Sequence, residues 1–479
     1  MTISRPPLNV PTPADLEHLA AIVGPSHAIT DTSDQAAYLT EWRDLYRGRT
    51  ALVVKPGSTA EVASILKFAH ERAIAIVPQG GNTGLVGGQI PFEHGGEIVV
   101  SLSRLNRIRY VASGGGHMIA EAGVTLLAAQ QGAESAGRLF PLSLASEGSC
   151  QIGGVLATNA GGVAVLAYGN ARQLALGLEV VLADGRVIEG LRALKKDNTG
   201  YDLRDLFIGS EGTLGIITAA CLKLHPRPAE QATAFAGLDT IEQVAALFAR
   251  AEREAAGQLT AFEFLDSTGL EMVLKHAPAT RAPLCAPHAW YALIELSGSR
   301  ADGSTTHRLE ELLAQAAEDG VIADATIAAT LAQSKALWRL REALSEAQKP
   351  EGGSIKHDIS VPVPLIARFL REAAPIIERI CPGARPVPFG HFGDGNVHYN
   401  VSQPIGMDRQ AYLDLWHPMS DAVHALVRSL DGSISAEHGI GRLKRNDLAR
   451  SKPAAELDTM RAIKAALDPR GILNPGKVL

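Results

Sequence analysis

Two histidines flank a short turn in residues 388–400, and their spacing suits metal binding. Asp394-Gly395 is a two-residue hairpin signal, so we expect His391 on one strand to face His398 on the next. Opposed side chains have Cβ atoms about 4.5–5.5 Å apart, and two imidazoles at that separation can hold one cation. Asn400 lies two residues on, on the same face as His398. The spacing predicts a two-histidine metal site, with a polar cross-strand pair on a solvated face as the alternative.

A third ligand candidate lies in residues 435–441, which read Ser-Ala-Glu-His-Gly-Ile-Gly. Glu437 stands beside closely spaced glycines, which indicates a tight backbone rather than a plain surface loop. Two histidines and one glutamate with an open position are the ligands of catalytic rather than structural zinc sites. We therefore predict a divalent metal at these three side chains, most simply zinc, although manganese and cobalt also accept such ligands.

Cationic side chains that could hold an organic acid follow in the helical pattern at 331–348 and the strand pattern at 355–360. Arg341 and Ser345 are four residues apart and share a helix face. Lys356 opens the strand. An arginine can grip a carboxylate through two hydrogen bonds and a lysine can act as a point charge. The alternative for each is an ordinary surface charge.

Three glycine-rich loops occupy the first half of the chain, at residues 80–84, 153–162 and 209–212. The first follows a predicted buried strand at 73–77. Glycines allow backbone N–H groups to approach an anion closely. Neither GxGxxG nor GxxxxGK[ST] occurs in these loops, which disfavours a nicotinamide Rossmann site and a P-loop. The alternative reading is a set of ordinary turns.

The predicted elements around these motifs change character near residue 226. Before it, short strands alternate with glycine-rich loops, and Ser58 with Glu61 predicts a capping box at the start of a helix. After it, long helical patterns alternate with single strands. We therefore place a domain boundary near residue 226.

Composition limits the class of protein. At 479 residues, about two to four domains are expected. The net charge of -6 argues against nucleic acid as the main partner, because no basic stripe is available to neutralise phosphates. No run approaches about 18 apolar residues, so no integral membrane segment is expected. The first 15 residues contain no apolar signal-peptide core, and the four cysteines form no CxxC pair or disulfide framework. A cytoplasmic location is therefore expected.

The three loops resemble the FAD-binding segments of the vanillyl-alcohol-oxidase-type flavoproteins. The resemblance rests on Pro78-Gln79-Gly80-Gly81-Asn82-Thr83-Gly84-Leu85, on residues 153–162 (Gly-Gly-Val-Leu-Ala-Thr-Asn-Ala-Gly-Gly) and on residues 209–215 (Gly-Ser-Glu-Gly-Thr-Leu-Gly). The sequence is most similar to the D-2-hydroxyacid dehydrogenase branch, and within it to the D-2-hydroxyglutarate enzymes. The resemblance runs from about residue 50 to the C-terminus.

This resemblance implies an α+β fold in three parts. A bipartite FAD-binding domain of the vanillyl-alcohol-oxidase type is expected over residues 1–226. An α+β cap (substrate) domain built on an antiparallel sheet is expected over 227–434. A C-terminal segment, 435–479, is expected to return to the FAD-binding domain.

The resemblance also implies site residues. His391, His398 and Glu437 match metal ligands, and His438 matches the catalytic base. Arg341, Ser345 and Lys356 match positions that bind the substrate carboxylate, and Asn400 is also expected to bind the substrate. The family has threonine and an aromatic residue where this sequence has Ser345 and His357. The FAD pyrophosphate is expected at residues 80–84, and the absence of a histidine there predicts non-covalent FAD. The expected cofactor-binding residues are Pro78, Gly80, Gly81, Asn82, Thr83, Gly84, Pro141, Gly148, Gly153, Gly154, Thr158, Asn159, Gly161, Gly162, Glu211, Gly212, Ile217 and Asn474.

The function implied is an FAD- and metal-dependent dehydrogenase of a D-2-hydroxyacid, first of all D-2-hydroxyglutarate, which would give 2-oxoglutarate. The metal would assist deprotonation of the hydroxyl, and the hydride would pass to flavin N5. The alternatives are a dehydrogenase of D-lactate or another short D-2-hydroxyacid, an oxidase that reduces oxygen, and a non-catalytic protein that binds metal and an organic acid. The expected partners are a small-molecule 2-hydroxyacid and an unidentified electron acceptor, with a homodimer as a candidate assembly.

Overall fold

The structure, a computed structural model, describes residues 7–112, 114 and 116–479. The first six residues, which belong to the N-terminal stretch where no signal-peptide core is expected, lie outside the described residues. The chain divides into two compact units. The first unit contains the residues up to Gly162, Gly169–Pro226 and Glu437–Leu479. The second unit contains Val163–Tyr168 and Arg227–Ala436.

The strands lie in both units. In chain order they are β1 (Ala28–Ile29), β2 (Val53–Val54), β3 (Ala75–Gln79), β4 (Glu97–Ser101), β5 (Ile108–Val111), β6 (His117–Glu121), β7 (Arg138–Leu139), β8 (Ala175–Val181), β9 (Val187–Gly190), β10 (Ile216–Lys223), β11 (His225–Pro226), β12 (Glu230–Leu238), β13 (Leu259–Asp266), β14 (Trp290–Gly298), β15 (Asp324–Ile327), β16 (Ser354–Ser360), β17 (Arg385–His391) and β18 (Asn396–Ser402).

The α-helices are distributed in the same way. In chain order they are α1 (Pro13–Val23), α2 (Thr32–Leu39), α3 (Thr59–Arg72), α4 (Leu126–Ser135), α5 (Ile152–Ala157), α6 (Val165–Tyr168), α7 (Ala171–Leu174), α8 (Arg204–Phe207), α9 (Ile241–Glu254), α10 (Ser267–His276), α11 (Ser304–Glu318), α12 (Leu331–Glu342), α13 (Leu344–Ala347), α14 (Ile366–Ile380), α15 (Arg409–Leu413), α16 (Trp416–Ser429), α17 (Arg445–Ser451) and α18 (Ala454–Leu467).

In the first unit, one sheet has the order β1-β2-β4-β3, with β2 and β3 parallel to β4. A second, antiparallel sheet has the order β5-β6-β10-β8-β9. The predicted strand at 73–77 begins only at Ala75, because Ala73 ends α3 in the left-handed conformation. The predicted capping box is half formed: the Ser58 hydroxyl accepts the Glu61 N–H, but the Glu61 carboxylate accepts the N–H of Gly57.

The second unit is built on one antiparallel sheet of order β15-β12-β14-β13-β17-β18-β16. One face of it buries an apolar core that includes Phe262, Phe264 and Phe392. Because side chains alternate between faces along a strand, Glu263 points to the opposite face. The helix predicted at 331–348 is interrupted: α12 ends at Glu342 and α13 begins at Leu344.

Candidate active site

The hairpin predicted at residues 388–400 forms between β17 and β18, but its turn is longer than two residues. A 3-10 turn at Phe392–Asp394 precedes Gly395, whose φ is +82°. The register therefore places Phe389 opposite His398, and the prediction that His391 directly faces His398 is wrong. The two histidines are instead diagonal neighbours on one face of the sheet, with ring centroids 5.7 Å apart. A ring nitrogen of each lies within 4.8 Å of the other, so they can still bind one ion.

The first histidine, His391, lies within hydrogen-bond distance of a buried carboxylate. Oε1 of Glu263 lies 2.8 Å from Nδ1 of His391, and Oε2 accepts a hydrogen bond from Nε of Arg341 at 2.8 Å. Burial alone would raise the pKa of Glu263, but the positive charges of His391 and Arg341 outweigh it, so the pKa lies below its ordinary value. Histidine ligands of metals commonly use one nitrogen for the metal and the other for a carboxylate. This arrangement leaves Nε2 of His391 as the nitrogen for a metal.

The second histidine, His398, also has a carboxylate near Nδ1, but at a distance longer than a hydrogen bond. Nδ1 of His398 lies 3.8 Å from Oδ1 of Asp358, and the two residues are in register on β18 and β16. The Asn396 amide donates to the same Asp358 oxygen at 3.0 Å and so orients it. Sequence reasoning missed both carboxylates. The sequence does contain a signal that could have pointed to Glu263, because this is the charged residue in the otherwise apolar stretch 261–265.

The predicted substrate-binding residues occupy different environments in the second unit. Arg341 is buried, paired with Glu263, and lies 4.8 Å above the Phe389 ring. Ser345 is exposed on α13, beyond the interruption that follows α12, so the two residues do not share one continuous helix. Lys356 and Asn400 are in register on neighbouring strands, so their side chains share a sheet face. The structure thus associates Arg341 with Glu263 and Lys356 with Asn400.

In the first unit, the loop after β3 has the features of an anion-binding turn. Asn82 has a φ of +55°, and its amide fixes the loop by donating to the carbonyls of Ala37 and Thr40. Among the described residues, the backbone N–H groups of residues 81–85 donate to no protein acceptor. A Cβ at Gly81 would lie 1.9 Å from the carbonyl oxygen of Ser149, so that position requires glycine. Clustered unused N–H groups suit a pyrophosphate.

Open space and unused polar atoms nearby also fit a large polar cofactor. A Cβ at Gly154 would meet nothing within 4 Å, and one at Gly148 would also be in open space. Buried Oδ1 of Asn82 and Oε1 of Gln151 accept no hydrogen bond within the described part of the chain. The residues present therefore fit FAD, whose hydroxyl and N–H groups could serve these acceptors.

Other predicted cofactor residues organise the loops. Gly212, with φ +70°, packs on Pro78, and a Cβ there would lie 2.5 Å from Cγ of that proline. Oδ1 of Asn159 accepts the Arg172 N–H at 3.0 Å, while the Thr158 hydroxyl bonds back to its own helix. Ile217 and Pro141 are buried.

The segment after Ala436 brings Glu437 and His438 into the first unit, both half-buried. Oε1 of Glu437 accepts the N–H of Gly162 at 2.9 Å. A Cβ at Gly161 would lie 2.6 Å from the same oxygen. These two glycines, predicted to bind the cofactor, therefore also provide the space and the hydrogen bond that hold this carboxylate.

Glu211, likewise predicted to bind the cofactor, fixes the turn that follows. Its carboxylate accepts the N–H groups of Ile440 at 2.7 Å and Gly441 at 2.8 Å. Desolvation raises the pKa of Glu211 to about 7. The amide of Asn474 in turn donates to the carbonyls of Glu211 and Gly88, both at 2.9 Å. The C-terminal segment and the glycine-rich loops thus form one hydrogen-bonded region within this unit.

Two family models match the chain: "FAD binding domain" over residues 50–190 and "FAD linked oxidases, C-terminal domain" over residues 227–478. The chain is 39% identical to the mitochondrial D-2-hydroxyglutarate dehydrogenase of Bos taurus, covering 100% of this chain and 85% of that protein. It is 37% identical to the mitochondrial D-2-hydroxyglutarate dehydrogenase of Arabidopsis thaliana, covering 97% of this chain and 81% of that protein.

The solved structure of p-cresol methylhydroxylase with substrate bound shares the fold, with a TM-score of 0.77 at 16% identity, over 97% of this chain and 96% of that one. The predicted fold class is therefore confirmed. The predicted cytoplasmic location is wrong, because the relatives are named as mitochondrial proteins. No helix in the described ranges is both long and apolar enough to span a bilayer. The matches over the whole chain establish that it belongs to the D-2-hydroxyacid dehydrogenase family of FAD-linked flavoenzymes.

Proposed function

We propose that the protein oxidises D-2-hydroxyglutarate to 2-oxoglutarate, using non-covalent FAD and a divalent metal, zinc by preference, held by His391, His398 and Glu437. The observation that carries this proposal is the convergence of His391 and His398, each with a carboxylate beside Nδ1, on one face of the sheet. The names of the Bos taurus and Arabidopsis relatives support the choice of substrate.

The course of the chain supports the choice of Glu437 as the third ligand. The N–H of Ala436 donates to the carbonyl of Asp358, which stands next to His398 in the sheet. Glu437 is the next residue, one peptide unit from that contact. Two imidazoles and one carboxylate form a ligand set with an open coordination position, as a catalytic metal requires.

The remaining residues have separate tasks in this proposal. A metal held by His391, His398 and Glu437 would supply polarisation of the substrate hydroxyl, and FAD would supply a hydride acceptor. His438, adjacent to Glu437, accepts the hydroxyl proton as general base. Lys356 and Asn400 bind a substrate carboxylate, with Arg341 and Ser345 as further contacts. Arg341 is paired with Glu263, and Lys356 is proposed as the cation for the second carboxylate of a dicarboxylic acid.

Anaerobic reduction of the flavin by a panel of D- and L-2-hydroxyacids tests the proposal. D-2-hydroxyglutarate should bleach the flavin fastest and its L-enantiomer should not bleach it. A preference for D-lactate would contradict the proposed substrate. Acid precipitation should release the yellow colour into the supernatant, because residues 80–84 contain no histidine for covalent attachment.

A single substitution separates the metal from the flavin. His398→Ala should lose bound zinc and most of the substrate-dependent bleaching, while its FAD content stays at the wild-type level. Unchanged zinc content in this variant would remove His398 from the ligand set.

A further inference from the structure

We propose that Glu263 is a positioning residue that couples the metal site to the substrate-carboxylate site, since one carboxylate orients both His391 and Arg341. This inference rests on the proposed function, in which His391 is a metal ligand and Arg341 contacts the substrate. It adds a residue that touches neither the metal nor the substrate.

The geometry divides the two oxygens of Glu263 between two donors. Oε1 meets Nδ1 of His391 and Oε2 meets Nε of Arg341, each at 2.8 Å. Only 1% of the glutamate side chain is exposed, so water has little access to replace either bond. Hydrogen bonds to an ionised carboxylate are roughly twice as strong as neutral ones.

The sheet fixes where this carboxylate can be. Glu263 on β13 is the in-register partner of His391 on β17, so their side chains leave the same face. Arg341 approaches from α12 and also lies over Phe389, the residue two before His391 on β17. A change at Glu263 would therefore reach both His391 on β17 and Arg341 on α12.

The chemistry of the partners requires a carboxylate. Nδ1–H of a metal-bound His391 and Nε–H of Arg341 are both donors, and an ionised carboxylate offers only acceptors. Glutamine offers one acceptor oxygen and an NH₂ group that would face a donor. Glu263→Gln can therefore satisfy one partner at most, and neither bond keeps its ionic character.

The experiment compares FAD-loaded wild-type protein with Glu263→Gln. Zinc affinity is measured by competition with a chelator, and KM for D-2-hydroxyglutarate is measured separately. We expect zinc binding to weaken about 10–100-fold, the usual effect of losing a partner of a metal-bound histidine. We also expect KM to rise about tenfold or more, because a charged hydrogen bond that orients Arg341 is lost.

Glu295→Gln is the matched control. Glu295 is a largely buried carboxylate on β14 in the same sheet, but it accepts hydrogen bonds from the side chains of Trp338, Thr233, Thr260 and Gln231. Burial raises the pKa of Glu295, so a neutral amide should be tolerated there. This control should keep wild-type zinc affinity and KM.

The outcomes are distinguishable. Wild-type values of both zinc affinity and KM in Glu263→Gln would overturn the inference, and a change in only one of them would overturn the coupling. A wild-type protein that binds no zinc would instead overturn the proposed function, and the inference with it. Should Glu263→Gln not fold, nitrogen NMR of the zinc-loaded wild type decides: the inference requires a proton on Nδ1 of His391 and zinc on Nε2, and the opposite arrangement overturns it.

Discussion

Gly161 offers a direct test of whether Glu437 is a metal ligand. An alanine Cβ at position 161 would lie 2.6 Å from Oε1 of Glu437, whereas ordinary contact begins near 3.4 Å. The carboxylate must therefore move by about 0.8 Å, while metal–ligand distances hold within about 0.2 Å. Gly161 has no positive φ, so its backbone accepts alanine. The clash should act on the carboxylate rather than on the fold.

We expect Gly161→Ala to weaken zinc binding about 10–100-fold, the range found when the support of a metal ligand is lost. The assay is chelator competition on the FAD-loaded protein, with FAD content measured from the absorbance released by acid. Gly154→Ala is the matched comparison, because a Cβ there meets no protein atom within 4 Å and Gly154 belongs to a loop proposed to bind FAD. That variant should weaken FAD binding and leave zinc affinity unchanged.

The two glycine variants should therefore give opposite results. If Gly161→Ala binds zinc as tightly as the wild type and turns over normally, Glu437 is not a ligand, and the third ligand must be sought elsewhere. Asp358 would then be the first candidate, because its carboxylate already lies 3.8 Å from Nδ1 of His398.

The sequence predicted which histidines converge but not how they are paired. The Asp394-Gly395 signal located the hairpin, yet residues 392–395 form a longer turn and shift the pairing. The partner of His391 is Asn396 instead of His398, a shift of two residues, which keeps both histidines on the same face because side chains alternate with a period of two. The metal prediction requires only that both histidines lie on one face, so the error in register does not decide it, and it stays a prediction.

The sequence could not assign partners that lie far apart along the chain. Glu263 and His391 are 128 residues apart, and no local pattern connects them; their contact follows from the sheet order that places β13 beside β17. For the same reason Arg341 was predicted as a substrate cation without its buried carboxylate. In the glycine-rich loops, local signals agree with the backbone at Gly81 and Gly212, because a close backbone approach and a positive φ are demands that each position meets by itself.

Three further predictions concern the base, the substrate and stability. His438→Ala should slow flavin reduction by about 10²–10⁴-fold, the usual contribution of a general base, while zinc and FAD contents are unchanged; near-normal reduction would assign the proton to another group. Lys356→Ala should raise KM for D-2-hydroxyglutarate more than for D-lactate, and equal increases would place this lysine at the carboxylate that both substrates share. Asp266→Asn should flatten the dependence of stability on pH. Burial raises the pKa of Asp266 from 3.8 to about 7, so the folded state favours the protonated form. That stabilisation is complete below about pH 4 and is lost as the pH rises through about 7, a change of at most about 4 kcal/mol and smaller here because part of the side chain remains accessible. Asparagine is neutral at every pH and can still accept the Gly269 N–H at the start of α10. The variant should therefore unfold at a higher temperature than the wild type at about pH 8, and this difference should be smaller at about pH 5, where only part of the stabilisation has been lost; the same difference at both values would show that Asp266 does not titrate between them.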